Sequence, residues 1–246
     1  TGRTNHSQAE SRQEVELLLK LTKLTGRIRV EDGATTALTD PVTPIDCPGV
    51  RLIIEAAAQP SPLYVLFLGP LTDMASALLL EPTLADNPDL TIIWIGGTPY
   101  DGDHGGEDHG EFNLSNDIHA ANVVLSSGAT VWQIPWTVYA MVNIGHAELK
   151  ERVQPHGELG NYLVEQLKQV NTLSDPEIEH RSLGDSPAVT AVLNPLSLSW
   201  RHHPVRVFEQ PGRMTTTIVK GRTVQVADSA DVRYLFEDLF AKLKRF

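Results

Sequence analysis

The chain has 246 residues, 41% of them apolar, and its 31 acidic against 20 basic side chains give a formal net charge of −11. That length and apolar share are ample for a globular core, while the acidic balance argues against a protein that tracks a nucleic-acid backbone, which would carry a basic stripe. The single cysteine, Cys47, excludes an intramolecular disulfide framework and a cysteine-rich zinc site, and no apolar run approaches the roughly 20 residues needed to cross a bilayer.

The opening TGRTNHSQAESRQE lacks the hydrophobic centre of a secretory signal, so a soluble, cytoplasmic protein with no membrane partner is expected. AESRQEVELLLKLTKLTG reads as an amphipathic helix ended by Gly26, with Val15, Leu18, Leu19 and Leu21 near one face. A proline-rich connection, ATTALTDPVTPIDCPG, holds Cys47, read as a quiet, partly buried thiol, and VRLIIEAAAQ is a second helix. LYVLFLGPLTDMASALLLEP then gives an apolar strand, a tight Gly69–Pro70 turn and a helix over residues 72–80. LTIIWIGGTPY is another buried strand, ending in a glycine pair.

Residues 98–110, TPYDGDHGGEDHG, are poor in apolar side chains and read either as a surface loop or as an active-site lid. A helix follows in NDIHAANVVLSSG, with Asn116 and Asp117 suited to its N-cap, Ile118, Ala121, Val124 and Leu125 as its apolar stripe, and Gly128 at its end. The residues just before it, Glu111 to Ser115, are expected to be loop. TVWQIP is a third strand, and residues 146–180 look helical and charged, with a loop around NTLSDPEIEH. GDSPAVTAVLNP starts another helix, with Asp185 or Ser186 at its N-cap and Pro187 in its first turn. Residues 204–227 read as short antiparallel strands, and SADVRYLFEDLFAKLKRF closes the chain as an amphipathic helix. Strands apolar throughout and alternating with helices imply an α/β fold, with a mainly parallel sheet flanked by helices and a small antiparallel part near the C-terminus. No internal repeat or linker is visible, so residues 1–246 are read as one domain.

Several constellations are weak alone. Gly69, Gly96 and Gly97 follow strands, but no GxGxxG or Walker pattern accompanies them. His104 and His109, with Asp101, Asp103, Glu107 and Asp108, lack the HExxH or paired-cysteine spacing of a zinc site. Asp185 reads as a helix cap, and Glu111 and Asn113 either as solvated loop residues or as ligand-holding groups at the mouth of the sheet. No Gly-x-Ser-x-Gly elbow supports serine hydrolysis.

In order and spacing, LYVLFLGPLTDMASALLLEP, IIWIGG, GEFNLSNDIHAANVVLSSG and GDSPAVTAVLNP resemble the inosine–uridine preferring nucleoside hydrolases, over nearly the whole chain from about residue 5. The resemblance implies cleavage of the N-glycosidic bond of a ribonucleoside, or a related ribosyl substrate, by a Ca²⁺-bound water, in a homodimer or homotetramer. It assigns Glu111 and Asn113, and more loosely Asn5, to ribose hydroxyls. It also assigns Asp185 and the backbone carbonyl of Leu68 to Ca²⁺, for which hard oxygen donors are suited.

Two departures accompany it. The family's N-terminal aspartate cluster, DxDxxxDD, occurs nowhere here, so the first strand–helix–strand unit is expected to be absent from these residues. The histidine that precedes the family's metal aspartate is Gly184 here, which leaves the leaving-group acid open. His109 is the first candidate, being two residues from Glu111, ahead of His104 and His180. The alternative is a non-catalytic ribose- or glycoside-binding relative that has lost the aspartate cluster.

Overall fold

The computed structural model describes residues 8–100, 110–174, 177–209 and 212–246. Helix α1 (Gln8–Leu21) stops short of Gly26, because the chain turns at Lys23, whose φ of 59° takes it out of the helical region. Helix α2 (Pro48–Ala57) begins two residues earlier than the apolar pattern suggests, with Pro48 in the first turn, where a missing N–H is harmless. Strand β1 (Leu63–Phe67), helix α3 (Thr72–Leu80) and strand β2 (Leu90–Ile95) follow as expected.

The stretch expected to be loop before the next helix is instead a helical turn of its own, α4 (Phe112–Asn116), with Glu111 as its cap. Asn116 ends that turn, and Asp117 alone caps α5 (Ile118–Ser126). Strand β3 (Thr130–Ile134) runs into α6 (Trp136–Tyr139), a second short helix the sequence pattern did not show. The region expected to be helical from 146 contains α7 (His146–Arg152) and α8 (Gly157–Ser174), but is bracketed by strands β4 (Asn143–Gly145) and β5 (His180–Ser182). Then come α9 (Ser186–Leu193), β6 (Leu198–Glu209), β7 (Arg213–Ala230) and α10 (Val232–Leu243). Strands β6 and β7 pair antiparallel as anticipated, but at 12 and 18 residues they are not short, and three register shifts interrupt their ladder.

The fold is α/β, with five strands ordered β1-β2-β3-β7-β6 and every pair parallel except the last. Contacts divide the chain into two compact units. One holds residues 31–139 and 185–230, and with them the five-stranded sheet. Alternation along β2 splits its side chains between the two faces. Leu90, Ile92 and Trp94 join the buried faces of α3 and α5, while Ile93 and Ile95 join Ile134, Val138, Ala188 and Ala191. The other unit comprises the described part of residues 1–30, with 140–184 and 231–246. Its core is Val142, Ile144, Leu149, Val164, Leu235 and Phe240, with Leu18 and Leu21 against it. No helix among the described residues is long and apolar enough to cross a membrane. Cys47 is half-buried with Sγ 3.8 Å from Asp73 Oδ1, and burial holds its thiol above the usual range.

Asp117 ties three segments of the first unit together. Its carboxylate accepts from the N–H of Ala120 (2.9 Å), the N–H of Leu38 (2.9 Å) and the hydroxyl of Thr72 (2.7 Å). Asp117→Ala strands three donors in a buried setting and should cost about 2–4 kcal/mol. The expected result is a lower urea midpoint with an unchanged slope; an unaltered midpoint would show that water replaces the carboxylate.

Candidate functional site

Parallel strands deliver their carboxyl ends to one edge of a sheet, which is where α/β proteins hold ligands. Three exits meet there: Leu68 after β1, Gly96–Gly97 after β2, and α6 after β3. Register keeps them level, since Phe67 pairs with Trp94 and Ile95 with Ile134. The glycine pair answers to packing. A Cβ on Gly96 would run into the Trp94 indole, and one on Gly97 into the Gln133 amide, while the φ of 79° at Gly97 independently favours glycine.

Glu111 is 7% exposed and draws the second and third of these exits together. Its Oε2 accepts from the N–H of Gly97 (2.7 Å) and of Leu114 (2.9 Å). Its Oε1 accepts from the N–H of Asn113 (3.0 Å) and the hydroxyl of Tyr139 (2.7 Å). A buried carboxylate is tolerated only when it is well supplied with donors, and this one has four. Two residues on, the Asn113 amide nitrogen donates to the carbonyl of Ile95 (2.7 Å) and, at longer range, to that of Leu68 (3.4 Å). The side chain thus spans the exits of β1 and β2, leaving Oδ1 as the atom it can offer a hydroxyl.

Tyr139, absent from the sequence-based candidates, enters because α6 begins directly after Pro135 and carries the ring round one turn to Glu111. The Pro–Trp junction at the end of an apolar strand is the only sequence signal for that turn. Burial first, and then the charge of Glu111, push its phenol far above the ordinary range, so it donates and does not ionise. Asp185 stands at the N-cap of α9, as the sequence suggested, yet its carboxylate makes no capping hydrogen bond. The residue is exposed, but the protein around the carboxyl group, and the charge of Glu111, raise its pKa. Leu68 is likewise exposed.

Asn5, His104 and His109 lie outside the described residues. His180 is exposed on β5 in the second unit, where its carbonyl accepts from the Asn171 amide at 2.8 Å.

Ca²⁺ takes 6–8 oxygen ligands. The assigned donors here are the Asp185 carboxylate and the Leu68 carbonyl, and no group of three or more His, Cys, Asp or Glu suited to a metal ion occurs among the described residues. The described residues therefore do not by themselves make a Ca²⁺ site, and no chemical step is assigned to the ion.

A family model described as inosine-uridine preferring nucleoside hydrolase matches residues 9–237. A curated relative from Arabidopsis thaliana, "Probable uridine nucleosidase 2", is 26% identical over 184 residues, which are 74% of this chain and 55% of that protein. The chain thus spans about half the length of the curated relatives it matches. Among solved structures, a plant nucleoside hydrolase superposes with a TM-score of 0.77 at 20% identity, over 98% of this chain and 87% of its own. A purine-preferring ribonucleoside hydrolase from Gardnerella vaginalis gives a TM-score of 0.73 at 21% identity, over 95% and 85%.

For residues 1–246 the expected result of a calcium titration by calorimetry is weak binding or none, because so few donors are assembled. Tight stoichiometric binding abolished by Asp185→Ala would overturn that donor count.

Proposed function

Since this chain belongs to the inosine-uridine preferring nucleoside hydrolase family, we propose that it binds the ribosyl part of a ribonucleoside on the Glu111–Asn113 shelf and hydrolyses the N-glycosidic bond. The observation that carries this reading is the anchoring of both side chains at the carboxyl ends of β1 and β2, where Glu111 is fixed by four donors and Asn113 by two carbonyls. Such fixing is what a site needs to hold a sugar without reorganising at the moment of reaction.

In the reaction, the oxygen of water bonds to the anomeric carbon and gives up one proton. The bond from that carbon to the base nitrogen breaks, its electron pair stays on the nitrogen, and a proton is taken up there, leaving free ribose and free base. Positive charge grows on the sugar as the bond stretches. The carboxylates of Glu111 and Asp185, the latter with its pKa raised by burial and by the charge of Glu111, lie where they favour that charge. Asn113 Oδ1 accepts from a sugar hydroxyl and fixes the ring. Protonation of the base is normally worth about 10²–10⁴-fold, and with Gly184 where the family carries histidine, the donor has to come from elsewhere, His109 being the first candidate.

A second reading is a ribose-binding relative without the chemistry. Gly184 and the absence of a metal-binding group among the described residues favour it. The similar proteins bear names that refer to uridine in one case and to purines in the other, so both kinds of base belong in the assay.

Release of reducing sugar from inosine, uridine and a nitrophenyl riboside separates the readings. Hydrolysis is expected, with the nitrophenyl riboside favoured because its leaving group needs little protonation. Ribose binding with no release from any of the three supports the second reading; neither binding nor release contradicts both. Asn113→Ala should weaken ribose binding by about 1–3 kcal/mol, checked by calorimetry on protein whose circular dichroism is unchanged, since the same side chain braces two strand ends.

A further inference from the structure

Three of the four donors on Glu111 are main-chain groups. The N–H groups of Asn113 and Leu114 belong to the first turn of α4, and that of Gly97 to the turn leaving β2. None of them can withdraw without unmaking the element that carries it. The fourth donor, the Tyr139 hydroxyl, is the one carried by a side chain, whose movement does not require α6 to unwind. A carboxylate offers about four lone-pair positions, and here all four are filled. Glu111 is therefore fixed firmly enough to hold a sugar, but it has no acceptor position to spare for one.

Exposure shows where an exchange would take place. Glu111 and Asn113 are 7% and 8% exposed, whereas Tyr139 is half-buried, so Tyr139 is the most exposed of these three residues. The short helices on either side each present an exposed aromatic ring, Phe112 from α4 and Trp136 from α6.

We propose that Tyr139 is a ligand-exchanged donor: a sugar hydroxyl reaches Glu111 by taking the place of the phenol on Oε1, while the three main-chain donors stay where they are. The inference rests on the ribosyl reading of the shelf and adds to it a residue that sets the affinity. Phenol and sugar hydroxyl make the same kind of O–H to carboxylate bond, so the sugar has to displace a bond of its own kind and the wild-type protein binds it more weakly than a vacant Glu111 would.

Tyr139→Phe keeps the ring and removes the donor, and with three main-chain bonds left on Glu111 the fold is retained, which circular dichroism verifies. Calorimetry with D-ribose should then show binding roughly 3- to 10-fold tighter than wild type, the worth of one net hydrogen bond. A tyrosine that merely braces Glu111 would act in the opposite direction. Resonance Raman provides a second readout, because the difference between wild type and Tyr139→Phe isolates this phenol among the five tyrosines. Saturating ribose should move its hydrogen-bond marker away from that of a donor to carboxylate. If wild type binds ribose and Tyr139→Phe binds it equally or more weakly, or if the marker stays put, the exchange is wrong and the ribosyl shelf stands. If neither protein binds ribose at millimolar concentration, the ribosyl reading falls and the exchange falls with it.

Discussion

The carboxylate of Glu111, buried and met by four hydrogen-bond donors, is the constraint on which the candidate site depends. It closes the turn after β2 through Gly97, starts α4 through Asn113 and Leu114, and receives Tyr139 from the end of α6. Hydrogen bonds to a charged group are worth about 1.5–3 kcal/mol each, and stranding their donors in a buried setting costs a similar amount. The exits of β2 and β3 are thereby held in one arrangement by one side chain, and Asn113 adds that of β1. Gly96 and Gly97 are required because Trp94 and Gln133 lie directly beneath that turn.

Three carboxylates along this part of the first unit differ in how completely the protein uses them, and the difference separates architecture from chemistry. Asp117 is 3% exposed and spends its oxygens on Ala120, Leu38 and Thr72, which makes it a brace. Glu111 is as fully engaged, but one of its four partners is a side chain. Asp185 occupies a cap position without making the cap bond, and its surroundings disfavour its charge. A helix N-terminus by itself favours a negative side chain, whereas burial and the neighbouring Glu111 act on Asp185 in the opposite direction. Its position is thus not accounted for by a capping hydrogen bond.

Much of this was legible in the sequence, because apolar runs between turn residues leave few alternatives. The three parallel strands, the helix over residues 72–80 and a helix start at Asp185 or Ser186 follow from periodicity and punctuation alone. What was not legible depends on partners far away in the chain. Residues 112–116 carry no amphipathic period, and they turn helical because the Glu111 carboxylate caps them, while that carboxylate is held in turn by Gly97 and Tyr139. The strand pair β4 and β5 joins segments more than thirty residues apart around a charged helix, beyond the reach of any local pattern. Family resemblance singled out Glu111 and Asn113 as ligand-binding residues; their commitment to main-chain partners is visible only in the fold.

The most direct measurement of the central claim is a ribose titration followed by the backbone amide resonances of Gly97, Asn113 and Leu114, whose N–H groups rest on Glu111. If the Glu111–Asn113 shelf binds the ribosyl group, these three resonances should shift together and saturate with one dissociation constant, while that of Ala120, on the structural carboxylate of Asp117, stays in place. Saturation of ribose binding with all three unmoved would contradict a ribosyl site at Glu111.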